Sequence, residues 1–483
     1  MIPLPSPAPV SPGGEPGAAA PQGTPSRTPA REPRRRATLR ENVELFVVAV
    51  VLALVIRHGL GEIFKIPTGS MAPTLFGEHQ RVRCLGCGWT IPVGATDGGH
   101  PVRGTADCPF CGTRVDIPAR PLPYGGHKIV ANKLLYRLRD PRRWEVAVFR
   151  FWDSRVTPPR ERNFIKRLWG LPGERIGLRG GDVFIDGEIC QKPWEIQEAI
   201  WIPVADTAYE RDDEPRWRSD APGWTRQGGG WAFEPPGAGW SELELMFPSG
   251  SGNVTDALCY NSGGGGHNVV GDLKVSLRAT GEEGARLRVL LHVADDFLTL
   301  ELPFGRGEGG LRQAEVSPDR EVWTLGDLPA LSPGVEHEVV FARYDHRLVL
   351  FLDGVEVASE VRPPGESDTR GAKISLGATD APLRLGSVRV WRDIYYRDEG
   401  SIHLGGGREV VLEDGQYFFL GDNSGSSNDS RAWPHDAAHD QGPYITREKI
   451  VGRAEFSLLY LDLSLLRDWP WNTFPRIRVG RVR

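Results

Sequence analysis

Between about residues 268 and 397, apolar and polar residues alternate along a succession of short runs: LKVSLRA, RLRVLLHV, FLTLELP, HEVVFARY, RLVLFLDGVEVASEV and LRLGSVRVW. Alternation places every second side chain on one face, which a strand can bury and a helix cannot. Asp345-His346 and Asp353-Gly354 supply turns between runs, so the stretch reads as an antiparallel β-sandwich. Shorter runs upstream behave alike: HKIVANKLLY (127–136), EVAVFRFW (145–152) and GDVFIDGEIC (181–190), the last with Asp186-Gly187 as a hairpin turn. The 59 Gly and 40 Pro suit such turns and disfavour a helical bundle. Residues 194–240 carry scattered Trp, Pro and Gly without period, and no structure is assigned to them.

The N-terminal end differs. Residues 1–41 are rich in Pro, Gly, Ala and Arg and read as a disordered basic tail. LFVVAVVLALVI, residues 45–56, follows without a charge. Extended to Phe64 it reaches the ~20 residues a bilayer span needs, and 42–64 is expected to be a transmembrane signal anchor. The arginines before it would hold the N-terminus in the cytoplasm. A cleaved signal peptide ending at Gly59-Leu60-Gly61 and a buried core helix are the alternatives.

Net charge of −5 gives no support to a nucleic-acid partner. Of 58 basic residues only eight are Lys, so lysine bases are few. Three short motifs carry possible chemistry. In IPTGSMAPTL (66–75), Ser70 sits in a turn between Pro67 and Pro73, where a serine is either a nucleophile or a plain loop residue. In RNFIKRLWGLPGERI (162–176), Lys166 lies among Phe164, Ile165 and Leu168. Apolar neighbours would lower its pKa toward that of a general base; a strand-edge guard is the plainer reading. FFLGDNSGSSNDSRAW (418–433) runs from a buried-looking strand into a polar loop, which alone is no more than a tight turn.

Together and in this order, the motifs resemble bacterial signal peptidase I (leader peptidase). The resemblance rests on VVLALVIR, PTGSMAPTL, FIKRLWGLPGE and GDNSGSSNDSR, with KIVANKLLY, EVAVFRF and VGRAEF between and after them, and covers roughly 42–83, 125–193 and 405–460. It implies Ser70 as nucleophile and Lys166 as general base, with Thr68 and the Ser70 N–H as oxyanion hole. Ser427 would orient the lysine; Asp422, Asp429 and Arg431 would support the site and Met71 would shape it. The implied activity is cleavage of signal peptides from exported preproteins after a small-x-small motif, with no cofactor for catalysis. Implied partners are preprotein signal peptides, the lipid bilayer and the export machinery, at the bacterial inner membrane with the catalytic domain outside. One departure is Arg431-Ala432-Trp433 running into Pro434, where the family usually places Gly.

Cys84-x-x-Cys87 and Cys108-x-x-Cys111 have zinc-ribbon spacing, four thiolates around one structural Zn²⁺. Two disulfides are the rival in an oxidising compartment. Cys190 and Cys259 have no partner pattern. The expected fold is therefore mainly β: a signal-peptidase-type core in two parts (65–199 and 399–483) with one N-terminal transmembrane helix. A zinc ribbon (84–124) and an antiparallel β-sandwich (200–398), similar to concanavalin-A-like jelly rolls, are inserted in it. The competing function is a surface-tethered glycan-binding protein on an inactive peptidase scaffold.

Overall fold

The structure is a computed structural model that describes residues 39–55, 61–95, 102–118, 125–247, 252–261, 266–315, 321–361, 371–458 and 479–482. The expected tail lies outside the described residues except for its last three, which begin a helix, Leu39–Val55. That helix is a unit by itself, with an Arg40–Glu44 ion pair of 2.8 Å one turn apart.

The expected anchor over 42–64 is corrected here. The helix has 17 residues, and at 1.5 Å per residue its length is about 26 Å against the ~30 Å of a bilayer core. It does not extend to Phe64, because Gly61–Lys65 is a strand paired antiparallel with Lys128–Asn132, and Glu62 reaches Lys133 at 3.0 Å. Residues 56–60 lie outside the described set. Among the described residues no helix is long and apolar enough to cross a membrane. The transmembrane element of the fold, and with it the membrane-anchored signal peptidase, its bilayer, preprotein and export-machinery partners and its inner-membrane location, is overturned by this finding. The mainly β architecture stands.

The second unit holds four larger sheets and two small hairpins. In the first sheet the strand order is Gly61–Lys65, Lys128–Asn132, Ile450–Leu458, Val146–Asp153, Arg160–Gly170, Gln416–Leu420 and Ile445–Thr446, with Val479–Arg481 added beside Ile450–Leu458. Strand alternation splits its apolar residues between two cores. Ala147, Phe149 and Phe151 face Phe419 and Trp433, whereas Val146 and Val148 face Ile66, Met71 and Leu75. The chain that follows Gly61–Lys65 is thereby fastened to the sheet by its own apolar side chains.

The sandwich is made of an eight-stranded and a seven-stranded sheet running from Ile202–Asp206 to Leu383–Arg392. Arg286–Val293 shows the expected alternation, with Leu287, Val289, Leu291 and Val293 buried in the shared core. Residues 194–240, unreadable in sequence, form the helix Trp194–Ile200 and short strands that extend both sheets. The central strand Leu273–Gly281 is covered on both faces: Val275 and Leu277 enter the core, and Lys274 sits on the other side, 2.8 Å from Glu198 and over the Trp391 ring.

Candidate active site and cysteine cluster

Ser70 follows the edge strand Gly61–Lys65, in a turn closed by Ala72 N–H to Gly69 O (2.9 Å) and Leu75 N–H to Met71 O (2.8 Å). Met71 is fully buried and ties this turn to the sheet. Lys166 lies at the other side of the sheet path, in Arg160–Gly170, where the strand passes from an exposed half into a buried half. Gln416–Leu420 pairs with that strand only from Arg167 onward. Among the described residues, Lys166 therefore stands where the second edge of its strand has no strand beside it.

The two residues meet. Lys166 Nζ is 2.6 Å from Ser70 Oγ and 3.0 Å from Ile165 O, and the side chains are almost wholly buried. Burial, the largest influence, pushes the ammonium down to about 8; the Asp429 carboxylate pulls it up and Arg155 pushes it further down. Desolvation thus outweighs the acidic neighbours.

The polar loop after Gln416–Leu420 surrounds this pair. Asp422 binds Arg167 through two hydrogen bonds of 2.9 and 2.7 Å, both side chains fully buried. Alternation explains why Lys166 and Arg167, adjacent in sequence, serve opposite faces of one strand. Asp429 and Arg431 form a second bidentate pair (2.8 Å each), and Asp429 accepts the Gly421 N–H at 3.0 Å. Burial alone would raise the Asp429 carboxyl, but the Arg431 guanidinium outweighs it and holds the group low. Arg431 also reaches Arg397 O and Ser424.

Ser427 stands across Gly421 from the serine turn: a Cβ at 421 would lie 2.2 Å from Ser427 Oγ and 2.5 Å from Ser70 O. Lys166 hydrogen-bonds Ser70 and Ile165 O rather than Ser427. Thr68 is half-buried two residues before Ser70, its backbone pressed against Gly77. Three neighbours were not among the expected site residues. Asn423 donates from its backbone to Ser70 O (3.0 Å) and from Nδ2 to Gly69 O (3.0 Å). Asn261 pairs with the Asn423 amide, and the Tyr260 ring lies on Gly69. Asn423 stands inside a motif already singled out, whereas Tyr260 and Asn261 are 190 and 191 residues further along the chain than Ser70 and no local pattern links them.

The four paired cysteines sit on two alike knuckles. His79–Arg83 with Thr90–Gly94 and Gly104–Asp107 with Arg114–Ile117 are antiparallel hairpins. Each turn is closed by a Cys N–H, Cys84 to Trp89 O at 2.7 Å and Cys108 to Thr113 O at 3.0 Å, with Gly88 and Gly112 at positive φ (77° and 73°). The Sγ atoms of Cys84, Cys87, Cys108 and Cys111 lie within 4.8 Å of one another, and all four thiols are unbonded. Cys84 to Cys111 is 3.4 Å and Cys87 to Cys108 is 3.6 Å, near the edge of about 3.8 Å for a tetrahedron of 2.3 Å Zn–S bonds. The donor set and spacing fit a closed four-thiolate metal site.

Residues 119–216 and 373–459 match the family profile described as "Signal peptidase, peptidase S26". The two stretches contain Lys166 and the 418–433 loop; Ser70 lies outside them, and together they cover less than half the chain. A probable signal peptidase I-2 of Synechocystis sp. is 37% identical over 65 residues, 14% of this chain and 30% of that protein. A signal peptidase I of Leptolyngbya laminosa is 35% identical over 63 residues, 13% of this chain and 31% of that protein. These matches span about a third of the relatives' length, so what they show is a partial match to a signal-peptidase-family domain. Among solved structures, carbohydrate-binding module CBM66 of Bacillus subtilis is 10% identical with a TM-score of 0.25, covering 36% of this chain and 95% of that one. Galectin LEC-6 of Caenorhabditis elegans is 11% identical with a TM-score of 0.22, covering 33% and 94%. At those scores the likeness says nothing of function.

Proposed function

We propose that the chain is a serine endopeptidase in which Ser70 is the nucleophile and Lys166 the general base. The observation that supports this most directly is the buried 2.6 Å approach of Lys166 Nζ to Ser70 Oγ. Neutral Lys166 takes the Ser70 proton as Oγ attacks a peptide carbonyl, and the resulting ammonium returns a proton to the departing amine. Water then hydrolyses the acyl-enzyme, with Lys166 again as base. The Ser70 N–H and the Thr68 hydroxyl are proposed to receive the developing oxyanion. Ser427, Asp422, Asp429, Arg431 and Met71 are proposed to hold the two reacting groups in register. The edge of 160–165 leading into Lys166, left without a strand beside it among the described residues, offers backbone hydrogen bonds to an extended peptide. The test is hydrolysis of a fluorogenic peptide library by wild type, Ser70→Ala and Lys166→Ala. Cleavage that survives either substitution at the wild-type rate excludes the dyad.

For the cysteines we propose one structural zinc held by Cys84, Cys87, Cys108 and Cys111. It would crosslink two hairpins and, with four protein ligands, leave no open position for substrate. Metal analysis with thiol counting checks it: one zinc per chain and six alkylatable thiols in the unfolded, chelated chain are expected, and no metal with only two such thiols sinks it.

A second reading concerns the sandwich. It is a two-layer body with a core of its own, and the second reading gives it a glycan-binding role beside or instead of hydrolysis. Binding of polysaccharides by the Ser70→Ala chain would favour it; absence of binding across a broad glycan panel would remove it.

A further inference from the structure

The sandwich reaches into the serine turn through one segment, Gly252–Asn261. Its base is clamped. Val254 N–H bonds Ala372 O at 3.0 Å, Asp256 pairs with Arg397 at 2.6 Å, and buried Arg392 donates to Asp256 O (3.0 Å) and Ala257 O (2.8 Å). Its tip turns back through Asn261 N–H to Leu258 O at 2.9 Å. There the Tyr260 carbonyl accepts the Gly94 N–H (2.8 Å), its hydroxyl donates to Glu78 O (3.2 Å), and its ring stacks on Phe76 at 5.5 Å. The same ring fills the space above both Gly69 and Gly94, where a Cβ would come within 2.0 and 2.3 Å of it.

Asn261 completes the contact. Its Nδ2 donates to Asn423 Oδ1 at 2.7 Å, and its Oδ1 accepts from Asn423 Nδ2 at 2.8 Å. Asn423 Nδ2 also donates to Gly69 O, and the Asn423 backbone N–H to Ser70 O. Both Nδ2 hydrogens and the carbonyl of Asn423 are therefore engaged, which fixes its amide in one orientation. Without Asn261, one bond to Gly69 O alone would orient that amide.

We propose that Asn261 is a positioning residue for Ser70: it locks Asn423, and Asn423 holds the carbonyls of Gly69 and Ser70 so that Oγ stays within reach of Lys166. The β-sandwich is then a working part of the nucleophile's support rather than a passenger. This rests on the Ser70–Lys166 reading for its kinetic consequence, but its structural consequence does not. A displacement of about 1 Å at a reacting atom costs up to ~100-fold in rate. Asn261 touches neither reacting group, so its loss should change turnover without changing the titration of Lys166.

The full-length chain is compared with Asn261→Ala and Asn261→Ser. Expected is a 10- to 100-fold fall in kcat with KM within about 2-fold, and a pH–rate limb that keeps its position while the plateau drops. Hydrogen exchange on the same proteins should be at least about 10-fold faster in peptides spanning 66–75, while Leu273–Gly281 in the sandwich keeps its protection. Ser70→Ala separates the two ideas. If wild-type turnover does not depend on Ser70, the peptidase reading fails and the exchange data alone decide the role of Asn261. Unchanged exchange at 66–75 in both variants, or unchanged kcat in an enzyme that does depend on Ser70, overturns the proposal.

Discussion

The buried lysine makes the sharpest prediction. An ordinary lysine titrates near 10.4, so at pH 7 only about 0.04% of it is neutral. Burial brings Lys166 down to about 8, which leaves roughly a tenth of it neutral at pH 7, an increase of roughly 200-fold in the basic form. In the proposed mechanism the neutral amine is the reactive form, so log(kcat/KM) should rise with unit slope from pH 6, bend near 8 and flatten by 9. Stability follows the same titration. The folded chain binds its Lys166 proton less tightly than the unfolded chain, so the cost of burying the charge is fully present below pH 8. It is relieved as pH rises from 8 toward 10.5. That cost is about 3 kcal/mol. Lys166→Met removes it together with two hydrogen bonds of about 1 kcal/mol each, so the variant should match or slightly exceed wild-type stability at pH 7 while losing activity. Its advantage should shrink by pH 10. Peptide hydrolysis across pH 6–10, paired with urea unfolding at pH 7 and 10, gives both readings. A rate profile flat across that range, or a Met variant destabilised by several kcal/mol at pH 7, would refute the argument that desolvation tunes this amine.

Three further outcomes follow from named contacts. Arg155 lowers the Lys166 pKa through its charge while half-exposed, so Arg155→Met should shift the acid limb of the rate profile to higher pH, read by the same hydrolysis assay. Asp422→Ala leaves Arg167 charged and buried without its carboxylate, which should cost about 3–5 kcal/mol in denaturant unfolding; a loss below 1 kcal/mol would show that the pair is dispensable. Gly69→Ala should destabilise by about 1–3 kcal/mol through its clash with Tyr260, and Tyr260→Ala in the same chain should recover most of that loss in a double-mutant cycle.

Much of this protein is legible locally. The alternating runs of 268–397 announce strands because a two-residue period states which face is buried, and the core side chains Leu287, Val289, Leu291 and Val293 follow that period. The paired Cys-x-x-Cys motifs state a set of four thiol donors that could hold a metal, because residues at those spacings fall on two turns that can close on one point. Ser70 and Lys166 stand out by motif and by the scarcity of lysine. The apolar run near residue 50 misled, because hydropathy does not mark where a helix stops. Residues 61–65 have a better partner in Lys128–Asn132, and strand pairing takes them from the expected span.

Other features were decided only in three dimensions. The 2.6 Å meeting of Ser70 and Lys166 depends on sheet closure between segments 96 residues apart. The depressed lysine pKa depends on burial, a property of the packed chain and not of its neighbours in sequence. The pairing of Arg167 with Asp422 joins positions 255 apart, and the hold of Asn261 on Asn423 joins positions 162 apart. Sequence fixes periodicity, donor chemistry and turn chemistry because these are properties of a few adjacent residues. Which distant groups come to share one dry pocket is settled by tertiary packing, and the buried approach of Lys166 to Ser70 is set there.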